Sequence, residues 1–369
     1  MSSSSKPVSS VSAITFRSDT ADSVRIQLNA RNHAYQFEAD PGARMLYAGL
    51  AAGINLPYEC GSGTCGTCKA RLIAGEIDDL WPQAAGRKYL KKAGVFLMCQ
   101  CVARNDCTVE VANSVYNMDP GACVPAFHTG TIRDTRSLTR DVISFSVELS
   151  RPTDFDAGQF VTMQVPGVPG YRGYSMVNFE RAATRLDFVI KKKPGGGASE
   201  WLFKGGTDSS HVELFGPLGA ATFYPNLGKN ILCIAGGSGI AGMMSILARA
   251  RKERYFDQFD GDVFFGVRTF GDGFYLSELS QLAHEFPHRL HVTIALSDEA
   301  VPAEALRAHP ALKFDHGLVH EVAGRAMEGR YRNVRAYLAG PPPAVDASIR
   351  MLLLQAKLPA DSIRYDKFS

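Results

Sequence analysis

Four cysteines constrain this chain more than any other feature. Cys60, Cys65 and Cys68 share the run Tyr58-Glu-Cys-Gly-Ser-Gly-Thr-Cys-Gly-Thr-Cys-Lys69, and Cys99 follows in Leu-Met-Cys-Gln. The pattern is C-x4-C-x2-C, a gap of about thirty residues, then C. This is the spacing of a plant-type 2Fe-2S centre. Four thiolates must converge on two irons, and a loop containing Gly61, Gly63 and Gly66 lets the backbone wrap the inorganic core and aim N–H groups at the sulfurs. A zinc site more usually shows two C-x2–4-C pairs, and no histidine stands near these cysteines. Cys101, two residues past Cys99, is the one rival for the fourth ligand. Cys107, Cys123 and Cys233 are scattered and read as small, mostly buried residues.

At 369 residues the chain has room for two or three domains. Its net charge of +3 gives no basic stripe for nucleic acid. Cysteines spaced as metal ligands imply a reducing compartment. The serine-rich start has no apolar segment of a signal peptide and reads as a disordered tail over residues 1–13. The uncharged run Ile231–Ala248 approaches membrane-spanning length, but Gly236, Gly237 and Gly239 argue for a strand, a glycine turn and a helix. The expectation is a cytoplasmic protein without membrane insertion.

The pattern divides the remainder. Residues 14–117 form a first unit: Val24, Ile26 and Leu28 alternate, as do Tyr35 and Phe37, which predicts a hairpin turning at 29–32. Asp40-Pro41-Gly42 opens a helix with Met45, Leu46, Leu50 and Ala51 on one face, and Val109-Glu-Val111 ends the unit on a strand. Between residues 16 and 111, eleven basic residues meet ten acidic ones, so docking through this unit is expected to show little salt dependence. Residues 118–125 are a turn-rich linker. The unit 126–226 reads as strands at 130–134, 142–149, 159–165, 186–190 and 211–214, with a helix at 198–203, and suggests an antiparallel barrel. In residues 227–369 short apolar runs at 231–235, 263–267, 291–296 and 336–339 alternate with helical patterns, which predicts an α/β parallel sheet.

Three further motifs carry chemistry. Arg172-Gly-Tyr174-Ser175-Met176 ends a barrel strand and offers a guanidinium fork, a ring and a hydroxyl. By strand alternation Arg172 and Tyr174 share a face and Ser175 points the other way. Pro194-Gly-Gly196-Gly197-Ala-Ser199 opens a helix, where N–H groups suit an anion; the plainer reading is a loop with a serine cap. Gly236-Gly237-Ser238-Gly239 lies between a strand and a helix, at the ligand-binding end of a parallel sheet. Gly340-Pro341 ends another strand in the same sense. His211, His284, His288 and His291 read as surface or satisfied residues.

Taken in order, these pieces resemble the ferredoxin–NADP reductase superfamily and, more narrowly, the reductase components of bacterial multicomponent oxygenases. The resemblance spans nearly the whole chain and implies a multidomain protein: an α+β β-grasp ferredoxin domain, an antiparallel β-barrel FAD domain and an α/β parallel-sheet NAD domain. It implies that Cys60, Cys65, Cys68 and Cys99 hold the 2Fe-2S cluster. Arg172 would hold the FAD pyrophosphate, Tyr174 pack on the isoalloxazine, Ser175 lie near its N5, and Met176 complete the segment. Gly196, Gly197 and Ser199 match a second phosphate loop. Gly236, Gly237, Ser238 and Gly239 match the nicotinamide pyrophosphate turn, with Gly242 where the family usually has proline. Gly340 and Pro341 match the family's C-G-P-P, with Ala339 replacing its cysteine. Phe368, in an acidic-then-aromatic tail, would approach the flavin beside Ser175.

A 2′-phosphate on the nicotinamide dinucleotide wants Arg or Lys, whereas a free hydroxyl suits an acid. Leu296-Ser-Asp298-Glu299 puts an acid where NADP users of this superfamily commonly have arginine, so Asp298 favours NADH; Arg268 is the nearby basic residue that argues against it. The implied activity passes electrons from NADH through FAD and the cluster to a terminal oxygenase (a Rieske dioxygenase or a diiron monooxygenase) or its ferredoxin. A reductase of broad acceptor range and a redox sensor without turnover are the alternatives.

Overall fold

The computed structural model describes residues 23–367. The N-terminal tail and Phe368 lie outside the described residues.

The first unit is built on a five-stranded sheet ordered Ala34–Ala39, Val24–Asn29, Cys107–Glu110, Lys69–Ala74 and Val95–Leu97. Alternation decides its faces: Ile26, Leu28 and Phe37 point inward and are buried. The first two strands form the expected antiparallel hairpin, and Val24–Asn29 runs parallel to Cys107–Glu110. One helix, Met45–Ala51, covers the inner face with Met45, Leu46, Tyr47, Gly49 and Leu50. Ala51 was expected inside and is exposed. The inner stripe instead runs through Gly49, where an added Cβ would stand 2.4 Å from Leu56. A short helix needs such a close approach to lie flat on its sheet.

The second unit is a six-stranded, wholly antiparallel sheet ordered Arg172–Ser175, Phe160–Gln164, His211–Leu218, Ala126–Thr139, Val142–Thr153 and Ala183–Lys191. It curls around a core of Phe145, Phe155, Phe188, Leu186 and Leu214. Its two outer strands share no ladder, but just past the first of them Val177 N donates to Asp187 O at 2.8 Å. The strands run longer than their apolar cores suggested because their ends are polar and solvated.

The third unit is a parallel sheet of six strands, ordered Lys313–His316, Leu290–Leu296, Gly261–Val267, Asn230–Gly236, Val334–Gly340 and Ile363–Lys367. The two edge strands, short and partly exposed, carry no apolar run and escaped the sequence reading. Successive residues face opposite layers. Ile231, Cys233 and Ala235 pack with helices Ile240–Lys252 and Leu276–Glu285, while Leu232 and Ile234 pack with Val319–Ala326 and Pro342–Leu354.

The units are joined by buried contacts. Tyr47 stacks on Phe215 with centroids 4.2 Å apart, and Phe160, Tyr171, Phe215 and Leu218 belong to the same core as the first unit's helix. Across the other junction, Arg249 of the helix Ile240–Lys252 bonds Asp156 at 2.9 Å and Phe223 O at 2.8 Å. Arg181 bonds the same carboxylate at 2.8 Å. No helix among the described residues is long and apolar enough to cross a membrane.

Candidate functional site

The cysteine loop runs from Cys60 to Cys68, with Gly61, Gly63 and Gly66 all at positive φ. A side chain at Gly63 would stand 2.9 Å from Gln100 Nε2, and one at Gly66 would stand 2.7 Å from the Tyr89 ring. Glycine is thus required twice over, by conformation and by space. The backbone N–H groups of Ser62, Thr64 and Cys65 each lie 3.4 Å from Cys60 Sγ, and that of Thr67 lies 3.4 Å from Cys65 Sγ. Cys68 Sγ and Cys99 Sγ are 3.2 Å apart and buried, and Gln100 Nε2 donates to Cys99 Sγ at 3.4 Å. Cys101 lies apart, in a two-stranded ladder with Ile77–Asp79.

The sulfurs therefore fall into two pairs, Cys60 with Cys65 and Cys68 with Cys99. A hydrogen bond from Cys65, then others from Thr64 and the backbone, pull the Cys60 thiol down to about 4, while the Cys65 thiol is pushed up. Among the described residues no three of His, Cys, Asp or Glu converge on a single ion. A binuclear cluster asks for something else: two thiolates per iron, with inorganic sulfide completing each. The paired sulfurs and their N–H donors fit that group.

A cavity of about 590 Å³ adjoins this loop. Cys60 and Trp81 from the first unit line it together with Arg172, Tyr174, Ser175 and the segment Lys191–Ser199 from the second and Ser238 from the third. The Cys60 carbonyl oxygen lies 3.6 Å from the place a Cβ would take at Gly173, so the cysteine loop lies against this strand. The Arg172 guanidinium sits 4.4 Å from the centre of the Trp81 ring and donates to Tyr171 O at 2.9 Å. Although successive strand residues alternate, Arg172, Tyr174 and Ser175 all border the cavity. Met176 departs from expectation: its side chain is fully buried in the sheet core and does not line the cavity. Ser199 Oγ turns back onto Lys193 O and Gly196 O at 3.2 and 3.0 Å, which holds the glycine loop in shape.

A second cavity, of about 440 Å³, lies at the carboxyl ends of the parallel strands. Gly236, Gly237, Ser238, Gly340 and Pro341 line it, and Ser238 also borders the first cavity. Gly239 sits behind this wall, where a Cβ would stand 2.4 Å from Ala339 O; it allows helix and strand to touch. Gly242 faces Gly158 O and Ser175 at ordinary contact distance. Ser297 lines the cavity and Asp298, the next residue, is exposed beyond it. Arg268 also lines it, but its guanidinium is engaged by Asp141 at 3.3 Å and Asp272 at 3.2 Å. The larger groove between helices Val319–Ala326 and Pro342–Leu354, about 1070 Å³, holds none of the candidate residues.

Sequence reasoning missed Trp81, Gln100 and Asp366. Trp81 and Asp366 line the first cavity, and each comes from a segment remote from the motifs they join. Asp366 is 7% exposed, and burial, followed by the charge of Glu59, raises its carboxyl to about 7. Only Asp366 left a trace in the sequence, as the acid of the acidic-then-aromatic tail.

Comparison with known proteins agrees with this arrangement. Residues 28–104 match the family of 2Fe-2S iron–sulfur cluster binding domains, 129–223 the oxidoreductase FAD-binding domain and 233–348 the oxidoreductase NAD-binding domain. A ferredoxin–NAD(P)+ reductase of Metapseudomonas resinovorans is 33% identical over 89% of this chain and 95% of its own length. The ferredoxin–NAD+ reductase component of an alkene monooxygenase system from Xanthobacter autotrophicus is 32% identical over 91% and 99%. A solved ferredoxin reductase of a carbazole 1,9a-dioxygenase shares 31% identity, covers 95% of this chain and all of its own, and superposes with a TM-score of 0.78. The fold and site define a flavin- and iron–sulfur-dependent NAD(P)H oxidoreductase of three domains. The chain belongs to the family of ferredoxin–NAD(P)+ reductases that serve oxygenase systems as their reductase components.

Proposed function

We propose that this protein draws electrons from NADH and delivers them singly to a terminal oxygenase, a Rieske dioxygenase or a monooxygenase, or to the ferredoxin that serves it. One observation carries the reading: a single cavity is bordered at once by Cys60 of the cysteine loop, by Arg172–Ser175 and by Ser238 of the nicotinamide turn. When bound, the nicotinamide supplies a hydride, the flavin converts it to single electrons and the cluster passes these on.

The protein's own work is binding and alignment. Cys60, Cys65, Cys68 and Cys99 hold the cluster. Arg172, steadied by the Trp81 ring, would hold the flavin's pyrophosphate with its planar fork. Tyr174 and Ser175 line the same cavity, where the ring would pack on the isoalloxazine and the hydroxyl would serve its reactive edge. Gly196, Gly197 and Ser199 shape the second anion loop. Gly236, Gly237, Ser238, Gly340 and Pro341 form the floor of the dinucleotide site. Asp298 disfavours a 2′-phosphate, and ion pairs with Asp141 and Asp272 occupy Arg268, while Asp141 also occupies Lys191, the other cation lining that cavity. A β-grasp first domain, an open antiparallel barrel and a cytoplasmic location complete the reading. The test is Arg172→Ala. FAD retained after gel filtration should fall by at least about tenfold, the loss of one charged hydrogen bond to phosphate. Unchanged flavin occupancy would refute the assignment.

A further inference from the structure

The first unit is nearly neutral in sum but not in distribution. Between residues 23 and 117 it has four lysines, Lys69, Lys88, Lys91 and Lys92, and six arginines. Every ion pair in this unit is made by an arginine: Arg71 with Glu110, Arg87 with Asp79, and Arg104 with Glu76 and Asp78. The lysines are all exposed, and among the described residues none has an acidic partner within ion-pair distance.

Lys69 and Lys88 stand at the outer rim of the cysteine loop, and Lys91 and Lys92 follow in the turn next to it. Lys69 directly follows Cys68. Gly86 N donates to Gly63 O at 2.8 Å, and Tyr89 packs on Gly66, so the segment carrying Lys88 is pressed onto the loop. Lys91 and Lys92 follow in the turn whose Gly94 O accepts from Leu72 N at 2.9 Å, beside Arg71. Glu59, at the start of the loop, reaches the rim with one carboxylate oxygen and turns the other inward. Its Oε2 accepts from Thr67 Oγ1 at 3.3 Å, its Oε1 is buried, and the residue lines the flavin cavity. The loop is thus two-sided: Cys60 and Gly61 lie against the flavin-binding unit, and Thr67, with Tyr89 45% exposed beside it, opens to solvent under unpaired positive charge.

We propose that this rim is where the electron-accepting protein docks and that the docking face of that protein is acidic. The inference rests on the cysteine loop carrying the cluster, as in the proposed function. It reverses the expectation of salt-independent docking: paired arginines contribute little field outward, whereas four unpaired lysines at and next to one exit steer an acidic partner and repel a basic one.

The test uses the full protein with two forms of one acceptor, native cytochrome c, which is basic, and succinylated cytochrome c, whose lysines have become carboxylates. Each electron leaving the protein turns one ferric haem ferrous, so one NADH reduces two. Under anaerobic conditions at about 10 mM salt, where screening is weak, the succinylated form should be reduced at least about tenfold faster than the native form. The preference should fall below about twofold at about 0.5 M salt. The triple substitution Lys88→Glu, Lys91→Glu and Lys92→Glu should reverse it. Flavin bleaching by NADH and the EPR signal of the reduced protein should stay as in the parent, so a relay that fails upstream is seen separately. Equal rates for the two acceptors at low salt, or an unaltered preference in the triple variant with its EPR signal intact, would overturn the proposal.

Discussion

At the scale of single residues, the assignment turns on which sulfur closes the cluster site. Cys99 lies 3.2 Å from Cys68, whereas Cys101 is held in a separate ladder and burial pushes its thiol up to about 12. Cys99→Ser should abolish the visible absorbance of the cluster and Cys101→Ser should preserve it; the opposite pattern would reassign the ligand. Asp366 gives a pH signature. Its carboxyl titrates at about 7 in the folded protein instead of the ordinary 3.8, through burial first and the charge of Glu59 second. The folded state therefore holds the proton more tightly than the unfolded one. The contribution to stability is complete below about pH 4 and is lost as pH rises through about 7. Asp366→Asn should remove that decline and stabilise the protein at pH 8 by something on the order of 3 kcal/mol relative to pH 4. Urea titrations at the two pH values measure it, and parallel curves for parent and variant would sink the assignment.

At the scale of elements, the joint between the second and third units is the most sharply specified. Asp156 is 5% exposed and receives Arg249, Arg181 and the Tyr224 hydroxyl. Asp156→Ala would leave the buried Arg249 without its carboxylate and should cost about 3–5 kcal/mol in a denaturant titration, against less than about 1 kcal/mol for the exposed pair of Arg133 with Glu148. The sequence announced the elements on either side of this joint but not the joint itself. Val24–Asn29, the helix Gly197–Phe203 and the four inner strands of the parallel sheet were legible because one face or both faces are apolar at a fixed period. Lys313–His316 and Ile363–Lys367 were not, because edge strands are short and half-exposed. Trp81 was illegible for another reason. Its partner Arg172 is ninety-one positions away and in another unit, and only the docked arrangement brings ring and guanidinium together.

At the scale of the whole molecule, three units share one cavity, and the order of its walls is the order of electron flow. Shared cores join the first unit to the second through Tyr47 and Phe215 and the second to the third through Asp156 and Arg249, so the cysteine loop stays against the flavin strand. A relay of this kind needs no catalytic dyad; it needs the three sites filled and aligned. The direct check is an anaerobic titration of the purified protein with NADH, followed by absorbance and EPR. The account predicts uptake of about three electron equivalents per chain, two for the flavin and one for the cluster, with a rhombic 2Fe-2S signal growing as the flavin bleaches. A flavin that bleaches fully while a cluster present in the absorbance spectrum stays silent would contradict it.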